Sequence, residues 1–256
     1  FWFGCDGQTG VKSFLARFMK LKTAIILVGG KALRMRPVTE EIPKTMVEVA
    51  GKPLLYWILK WLKLNEIEKV VLGVAHKKEI IIDYVEKNDF GLTIACNDHS
   101  EAEETGDAIR LAIERQKVTD DVFLVMNGDE LTDVSLKNFL LFHMMHKPVV
   151  TLMSIPLRST YGVIAIDGNN TVTDFKEKPV IEGHFMNAGI YIFTQEIRKY
   201  LPSKGSIEKM TFVQLAKEGK LKAFKYFGFW ATADTVKDIA QIEQYADVLK
   251  QLHGEK

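Results

Sequence analysis

The stretch Thr23-Ala24-Ile25-Ile26-Leu27-Val28-Gly29-Gly30-Lys31-Ala32-Leu33-Arg34-Met35-Arg36-Pro37 decides how the rest of this chain is read. Its first six residues are apolar or β-branched and end at a glycine, so they are expected to form a short buried strand. Two glycines directly after a strand let the backbone turn sharply and bring its N–H groups close to a ligand. Arg34 and Arg36, with Lys44 a little further on, put fixed positive charge beside that turn. Backbone donors for the oxygens and side chains for the charge are what a polyphosphate needs.

Two other phosphate motifs fail here. A P-loop needs Gly-Lys followed by Ser or Thr, whereas Gly30-Lys31 is followed by Ala32 and Gly51-Lys52 by Pro53. A dinucleotide fingerprint needs Gly-x-Gly-x-x-Gly opening a helix, and Pro37 stands where that helix would run. Taken alone, the stretch also fits an ordinary strand-to-loop turn with solvated cations. The downstream motifs decide against that.

At 256 residues the chain has room for one large α/β domain or two small ones. With 47% hydrophobic and 26% charged residues its composition is that of a soluble globular protein. A net charge of +1 implies no general attraction to nucleic acid or to a membrane surface. Cys5 and Cys96 are too few for a disulfide framework and favour a reducing compartment, so a cytoplasmic location is expected. No run reaches the roughly 20 apolar residues of a membrane helix. Residues 1–18 carry no clear element and are expected to be a poorly ordered extension of a domain spanning 19–256.

From Thr23 onward strand and helix patterns alternate. Helices are expected over 53–64, 78–87, 107–115 and 134–146, and strands over 69–75, 92–96 and 121–126. Short strands follow at 149–155, 162–166, 172–175 and 185–193, then an amphipathic helix over 235–252. This predicts an α/β fold with a doubly wound, mostly parallel sheet, Rossmann-like, and a small inserted mixed β layer. Ligands in such sheets bind at the carboxyl ends of the strands, where Gly29, Gly30 and Asp129 would lie. His143 and His146 stand one helical turn apart. Without a cysteine or third histidine nearby they are expected on the helix surface rather than on a metal.

The opening stretch resembles the signature of the sugar-phosphate nucleotidyltransferases, Leu-Ala-Gly-Gly-x-Gly-Thr-Arg-Leu-x-Pro, then Pro-Lys, then Gly-Lys-Pro. Gly29, Gly30, Arg34, Pro37, Pro43, Lys44, Lys52 and Pro53 fall on it; Ala32 replaces a glycine and Leu33 a threonine. Asn127-Gly128-Asp129 matches the family's Gly-Asp. Tyr161-Gly162, Phe175-Lys176-Glu177-Lys178-Pro179 and Asn187-Ala188-Gly189 match its sugar-binding trio in order and spacing. Thr105-Gly106-Asp107 falls where relatives carry a nucleobase loop, although Thr105 or Asp107 could equally cap the following helix. In the segment Trp230-Ala231-Thr232-Ala233-Asp234, most relatives have an aspartate at the position of Thr232. One branch places it at Asp234, which could also cap the last helix.

The resemblance, which runs from residue 19 to 238, implies transfer of a nucleotidyl group from an NTP to a sugar 1-phosphate, with Mg²⁺ as cofactor. It implies nucleotide contacts at Leu27, Gly29, Gly30, Arg34, Lys44, Thr105, Gly106 and Asp107. It places the sugar against Tyr161, Gly162, Glu177, Lys178 and Asn187, and the metal on Asp129 and Asp234. Arg34, Lys44 and Lys178 would be the catalytic cations. Base, sugar and oligomeric state are left open. A regulatory relative that only binds nucleotide sugars is the second expectation.

Overall fold

The structure is a computed structural model and describes residues 20–252; the expected extension, 1–18, lies outside them. The opening apolar run is strand β1 (Thr23–Leu27), buried over its first four residues. Short 3₁₀ turns and a two-residue hairpin, β2 (Glu48–Val49) with β3 (Lys52–Pro53), lead to helix α1 (Leu54–Leu64). Pro53 is the residue before α1 rather than part of its first turn, with φ −57° and ψ 148°. Strand–helix alternation continues through β4 (Lys69–Val74), α2 (Lys78–Lys87), β5 (Thr93–Asp98), α3 (Thr105–Arg115) and β6 (Val122–Asn127). After β7 (Glu130–Thr132) and α4 (Leu136–His146) come β8 (Val150–Arg158), β9 (Val163–Ile166), β10 (Val172–Lys176) and β11 (Val180–Thr194). The chain closes with α5 (Val213–Lys217), β12 (Leu221–Lys225), β13 (Trp230–Thr232), α6 (Val236–Glu243) and α7 (Ala246–Leu252).

Seven strands form the central sheet in the order β12-β8-β11-β6-β1-β4-β5. Strand β1 runs parallel to both β4 and β6, and β4 parallel to β5. Only β11 opposes the rest, pairing antiparallel with β6 and β8, while β12 is parallel to β8. Side chains of β1 alternate between two cores: Ala24 and Ile26 pack in the one containing α1, Ile25 in the one containing α3. Burial on both faces is why this strand is a continuous apolar run rather than an alternating one. The order of connection reverses between β1 and β6, which opens a crevice beyond their carboxyl ends.

Beyond the start of α1, the sequence-based reading differs from the structure in three further places. First, β8 and β11 were expected in the inserted layer, yet both belong to the central sheet. Strand β11 is 15 residues long; its buried half, Ala188–Phe193, lies in the sheet, and its exposed half projects beyond it. The small layer is therefore the exposed antiparallel hairpin β9–β10 with the outer ends of β8 and β11. Second, the helix expected over 235–252 is two helices, interrupted where the ring of Tyr245 packs on Phe229 at 5.6 Å. Third, His143 is not on the surface: it is 1% exposed, and its Nδ1 meets Thr151 Oγ1 at 2.8 Å.

Candidate active site

Two backbone hydrogen bonds fix the glycine loop. The Val28 N–H donates to Gly73 O, and the Gly128 N–H donates to Leu27 O, each at 2.9 Å. The loop is thereby tied to both neighbours of β1. At Gly29 a Cβ would lie 2.6 Å from His99 Nε2 and 2.9 Å from Ala75 Cβ, so only glycine fits; Gly30 has open space around it. Ala32 adopts the left-handed conformation, φ 45° and ψ 48°. Here alanine occupies a backbone geometry that favours glycine, and Thr39 Oγ1 holds it by donating to its carbonyl at 2.9 Å.

Lys44 follows Pro43 at the start of a 3₁₀ turn. Its ammonium donates to the Asp129 carboxylate and to Asp234 Oδ1, the latter at 2.7 Å. Arg34 Nη2 reaches the same Asp234 oxygen at 3.2 Å from an exposed position. Strand pairing brings the two aspartates together: β13 lies antiparallel to β7 with Thr232 opposite Glu130, and the Ala233 N–H donates to Asp129 O at 3.0 Å. Asp234 does not cap α6. Thr235 does, in a reciprocal pair with Asp238, so the Asp234 side chain is free to face Lys44 and Arg34. Asp133 accepts from the Tyr226 hydroxyl and the Phe229 N–H, while Ser135 caps α4.

Charge balances closely in this cluster. Burial pulls the Lys44 ammonium down, but Asp129 and then Asp234 outweigh it, and its pKa is raised. Burial pushes the Asp234 carboxyl up, yet Lys44 and then Arg34 hold it below the usual carboxylate range. Glu130, beneath Asp129, is the contrast. Burial and the Asp129 charge push it well above that range, and its Oε2 has no hydrogen-bond partner. Two carboxylates converging on one cation form a donor set that fits Mg²⁺, which takes one or two protein carboxylates and completes its shell with water and substrate phosphates. Among the described residues no group of three or more histidine, cysteine or acidic side chains could hold a metal.

A cavity of about 790 Å³ opens beside this cluster across the carboxyl ends of β6, β1, β4 and β5. Asn127, Gly128 and Asp129 line it at the end of β6, Leu27 to Ala32 at the end of β1, Ala75 and His76 after β4, and His99 and Ser100 after β5. Of the expected nucleotide contacts, Thr105 lines the cavity while bonding Glu208 Oε2 at 2.8 Å. Asp107 is turned away from it: its carboxylate accepts from the Glu103, Glu104 and Gly205 N–H groups, and with Glu104 it closes the capping box of α3. A Cβ at Gly106 would lie 2.5 Å from Gly205 O, so this glycine serves packing against the 202–205 segment.

The sugar-motif residues gather elsewhere. Gly162 lies against Phe175 and Glu177, whose ring and carboxylate a Cβ there would meet at 2.8 and 3.0 Å. Lys178, at φ 46°, pairs with Glu177 at 3.7 Å rather than with the Lys44 cluster. Tyr161 is 79% exposed. Asn187 donates to the Tyr191 hydroxyl at 2.7 Å and accepts the Gly189 N–H at 3.1 Å, which places it where β11 leaves the sheet. Sequence reasoning missed His99, Ser100 and the β4 end. Their only sequence signal is position, directly after a strand whose carboxyl end faces the crevice.

Residues 23–253 match the family model described as nucleotidyl transferase. The probable mannose-1-phosphate guanylyltransferase 2 of Oryza sativa subsp. japonica is 32% identical over 89% of this chain and 65% of its own length. The mannose-1-phosphate guanylyltransferase catalytic subunit beta of Danio rerio is 33% identical over 84% of this chain and 62% of its own. The chain thus spans somewhat under two thirds of these relatives. HddC from Yersinia pseudotuberculosis, solved in complex with GMP-PN, superposes with a TM-score of 0.68 at 25% identity, covering 88% of this chain and 99% of that one. With its match to the family model spanning nearly its whole length, the chain belongs to the sugar-phosphate nucleotidyltransferase family.

Proposed function

We propose that this protein transfers a nucleotidyl group from an NTP to a sugar 1-phosphate, releasing pyrophosphate. The observation that carries the proposal is Lys44, held between Asp129 and Asp234 at the mouth of the glycine-loop cavity. The Gly29 and Gly30 backbone would meet the triphosphate, Arg34 its β- and γ-oxygens, and Lys44 its α-phosphate. An oxygen of the sugar phosphate attacks the α-phosphorus. The new P–O bond forms as the bond to the pyrophosphate oxygen breaks, and the electron pair leaves with pyrophosphate. The nucleophile is already an anion, so no general base is needed, and the side chains act by positioning and by stabilising charge. Lys178 would orient the attacking phosphate, with Glu177, Asn187 and the Tyr161-Gly162 segment around the ring.

Mg²⁺ held by Asp129 and Asp234 would supply further positive charge shared with the phosphate oxygens. The relatives make GTP with mannose 1-phosphate the first pair to try. The test is pyrophosphate release from a panel of NTPs and sugar 1-phosphates with Mg²⁺. Turnover with at least one pair, absent without the sugar phosphate, supports the reading. No turnover with any pair, together with a melting temperature raised by a nucleotide sugar, replaces it with a regulatory binding role.

A further inference from the structure

The phosphate loop is gripped from outside by two residues that the reaction described above leaves without a task. Thr39 is 4% exposed, and its hydroxyl donates to the Ala32 carbonyl at 2.9 Å. The same carbonyl accepts the Met35 N–H at 3.0 Å, and Met35 is fully buried in the core that contains α1. Lys77, in the turn between β4 and α2, holds Thr39 in its turn: its ammonium donates to the Thr39 and Glu40 carbonyls. Beside it the His76 N–H donates to Gly29 O at 3.3 Å. One turn at the end of β4 thus fastens the loop twice, at Gly29 directly and at Ala32 through Thr39.

The shape held in this way is one the chain resists. Ala32 lies in the left-handed region, φ 45° and ψ 48°, which alanine seldom adopts without outside support. Two residues on stands Arg34, whose side chain is 72% exposed and reaches Asp234. Little packing fixes so exposed a guanidinium, so its position follows the backbone beneath it. Lys77 carries the charge of a phosphate ligand, yet directs it at backbone carbonyls. A loop held ready before its ligand arrives loses less freedom on binding. Resting on the nucleotidyl-transfer reading, we infer that Thr39 and Lys77 are positioning residues. Acting through the Ala32 carbonyl, they keep the loop over 29–36 in its phosphate-binding shape without touching the substrate.

The test is calorimetric binding of inorganic triphosphate and the four common NTPs, with Mg²⁺, to wild type, Thr39→Val, Thr39→Ser, Lys77→Met and the double variant Thr39→Val with Ala32→Gly. Melting temperatures are taken alongside. Thr39→Val keeps the shape and removes the donor, and should weaken triphosphate and every bound NTP alike by roughly 10-fold, the scale of one hydrogen bond. Thr39→Ser keeps the hydroxyl and should bind as wild type does. Ala32→Gly should restore part of the loss in Thr39→Val, because glycine holds a left-handed turn without strain. Lys77→Met reads the same clamp from a half-buried position, and does so even where Thr39→Val fails to fold. Its loss should persist at high salt, which would screen a direct attraction to phosphate. A lowered melting temperature with unchanged triphosphate affinity would overturn the inference in favour of a role in stability alone. So would a loss that neither serine nor Ala32→Gly lessens, or a Lys77→Met loss that vanishes at high salt. Wild-type protein that binds neither triphosphate nor any NTP would instead remove the reading on which the inference rests.

Discussion

Lys44 and Asp234 stand 190 positions apart in the chain, and their side chains meet at 2.7 Å. The same ammonium touches Asp129, so before any substrate arrives a cation already lies between the two carboxylates. A divalent ion must share or displace that position. Replacing Lys44 by Met should therefore tighten Mn²⁺ binding to the nucleotide-free protein about 10-fold. That corresponds to about 1.4 kcal/mol, well inside the roughly 4 kcal/mol of a unit charge pair at 4 Å near a protein surface. In chelator the variant should be less stable than wild type by about 1–2 kcal/mol, and metal should restore it. Mn²⁺ titration followed by electron paramagnetic resonance reads the first effect; an unchanged affinity would show that Lys44 does not compete for the site.

Asp129→Asn and Asp234→Asn should each lower turnover by roughly 10²-fold, the scale of losing one electrostatic stabiliser. Because Thr235 rather than Asp234 caps α6, neither change should unfold that helix. Thr235→Ala is the control, expected to cost about 1 kcal/mol of stability while leaving Mg²⁺ dependence as it was. Steady-state kinetics across a Mg²⁺ series separates the two classes. Wild-type turnover in Asp234→Asn would leave Asp129 as the sole protein ligand.

Ala32 carries a left-handed backbone, which costs a non-glycine residue about 1–2 kcal/mol. Ala32→Gly removes that cost against a chain-entropy penalty of about 0.5–1 kcal/mol, so stability should be unchanged or higher by up to about 1.5 kcal/mol. Gly29→Ala is the opposite case, since its Cβ would collide with His99 and Ala75. It should lose about 1–3 kcal/mol and weaken NTP binding. Urea titration of both variants decides; a stabilised Gly29→Ala would contradict the loop geometry.

His143 offers a pH test remote from the chemistry. Burial lowers its pKa to about 4, whereas the unfolded residue titrates near 6.5. The unfolded state therefore binds more protons between those values, and stability rises with pH across that window. The stabilisation, about 3 kcal/mol by linkage, is fully present above pH 6.5 and is lost as pH falls toward 4. His143→Gln should flatten the slope of stability against pH by one proton. An unaltered slope would mean that the ring is charged in the folded state.

The fold was legible where one local pattern corresponds to one element. Helix 78–87 follows from its apolar spacing, and β1 from an unbroken apolar run buried on both faces. It was less legible where tertiary pairing overrides local signal. β11 looks like an inserted strand, yet β6 and β8 draw its inner half into the main sheet. His143 has a surface residue's sequence context, but Thr151 on the next strand supplies its partner. At the site, motif residues that carry charge could be found from sequence. The resemblance put Asp129 and Asp234 on one metal, but periodicity and spacing alone could not bring them together, because their proximity depends on the pairing of two three-residue strands.

The most direct test of the proposed chemistry follows the phosphorus atoms of a working NTP and sugar 1-phosphate pair. Two parallel reactions would carry ³²P at the α- or the γ-position of the NTP, with products separated by thin-layer chromatography. Attack at the α-phosphorus predicts that the α-label moves into the sugar-containing product and the γ-label into pyrophosphate, in equal amounts and only when the sugar phosphate is present. A γ-label in the sugar product, or as free orthophosphate, would contradict the account.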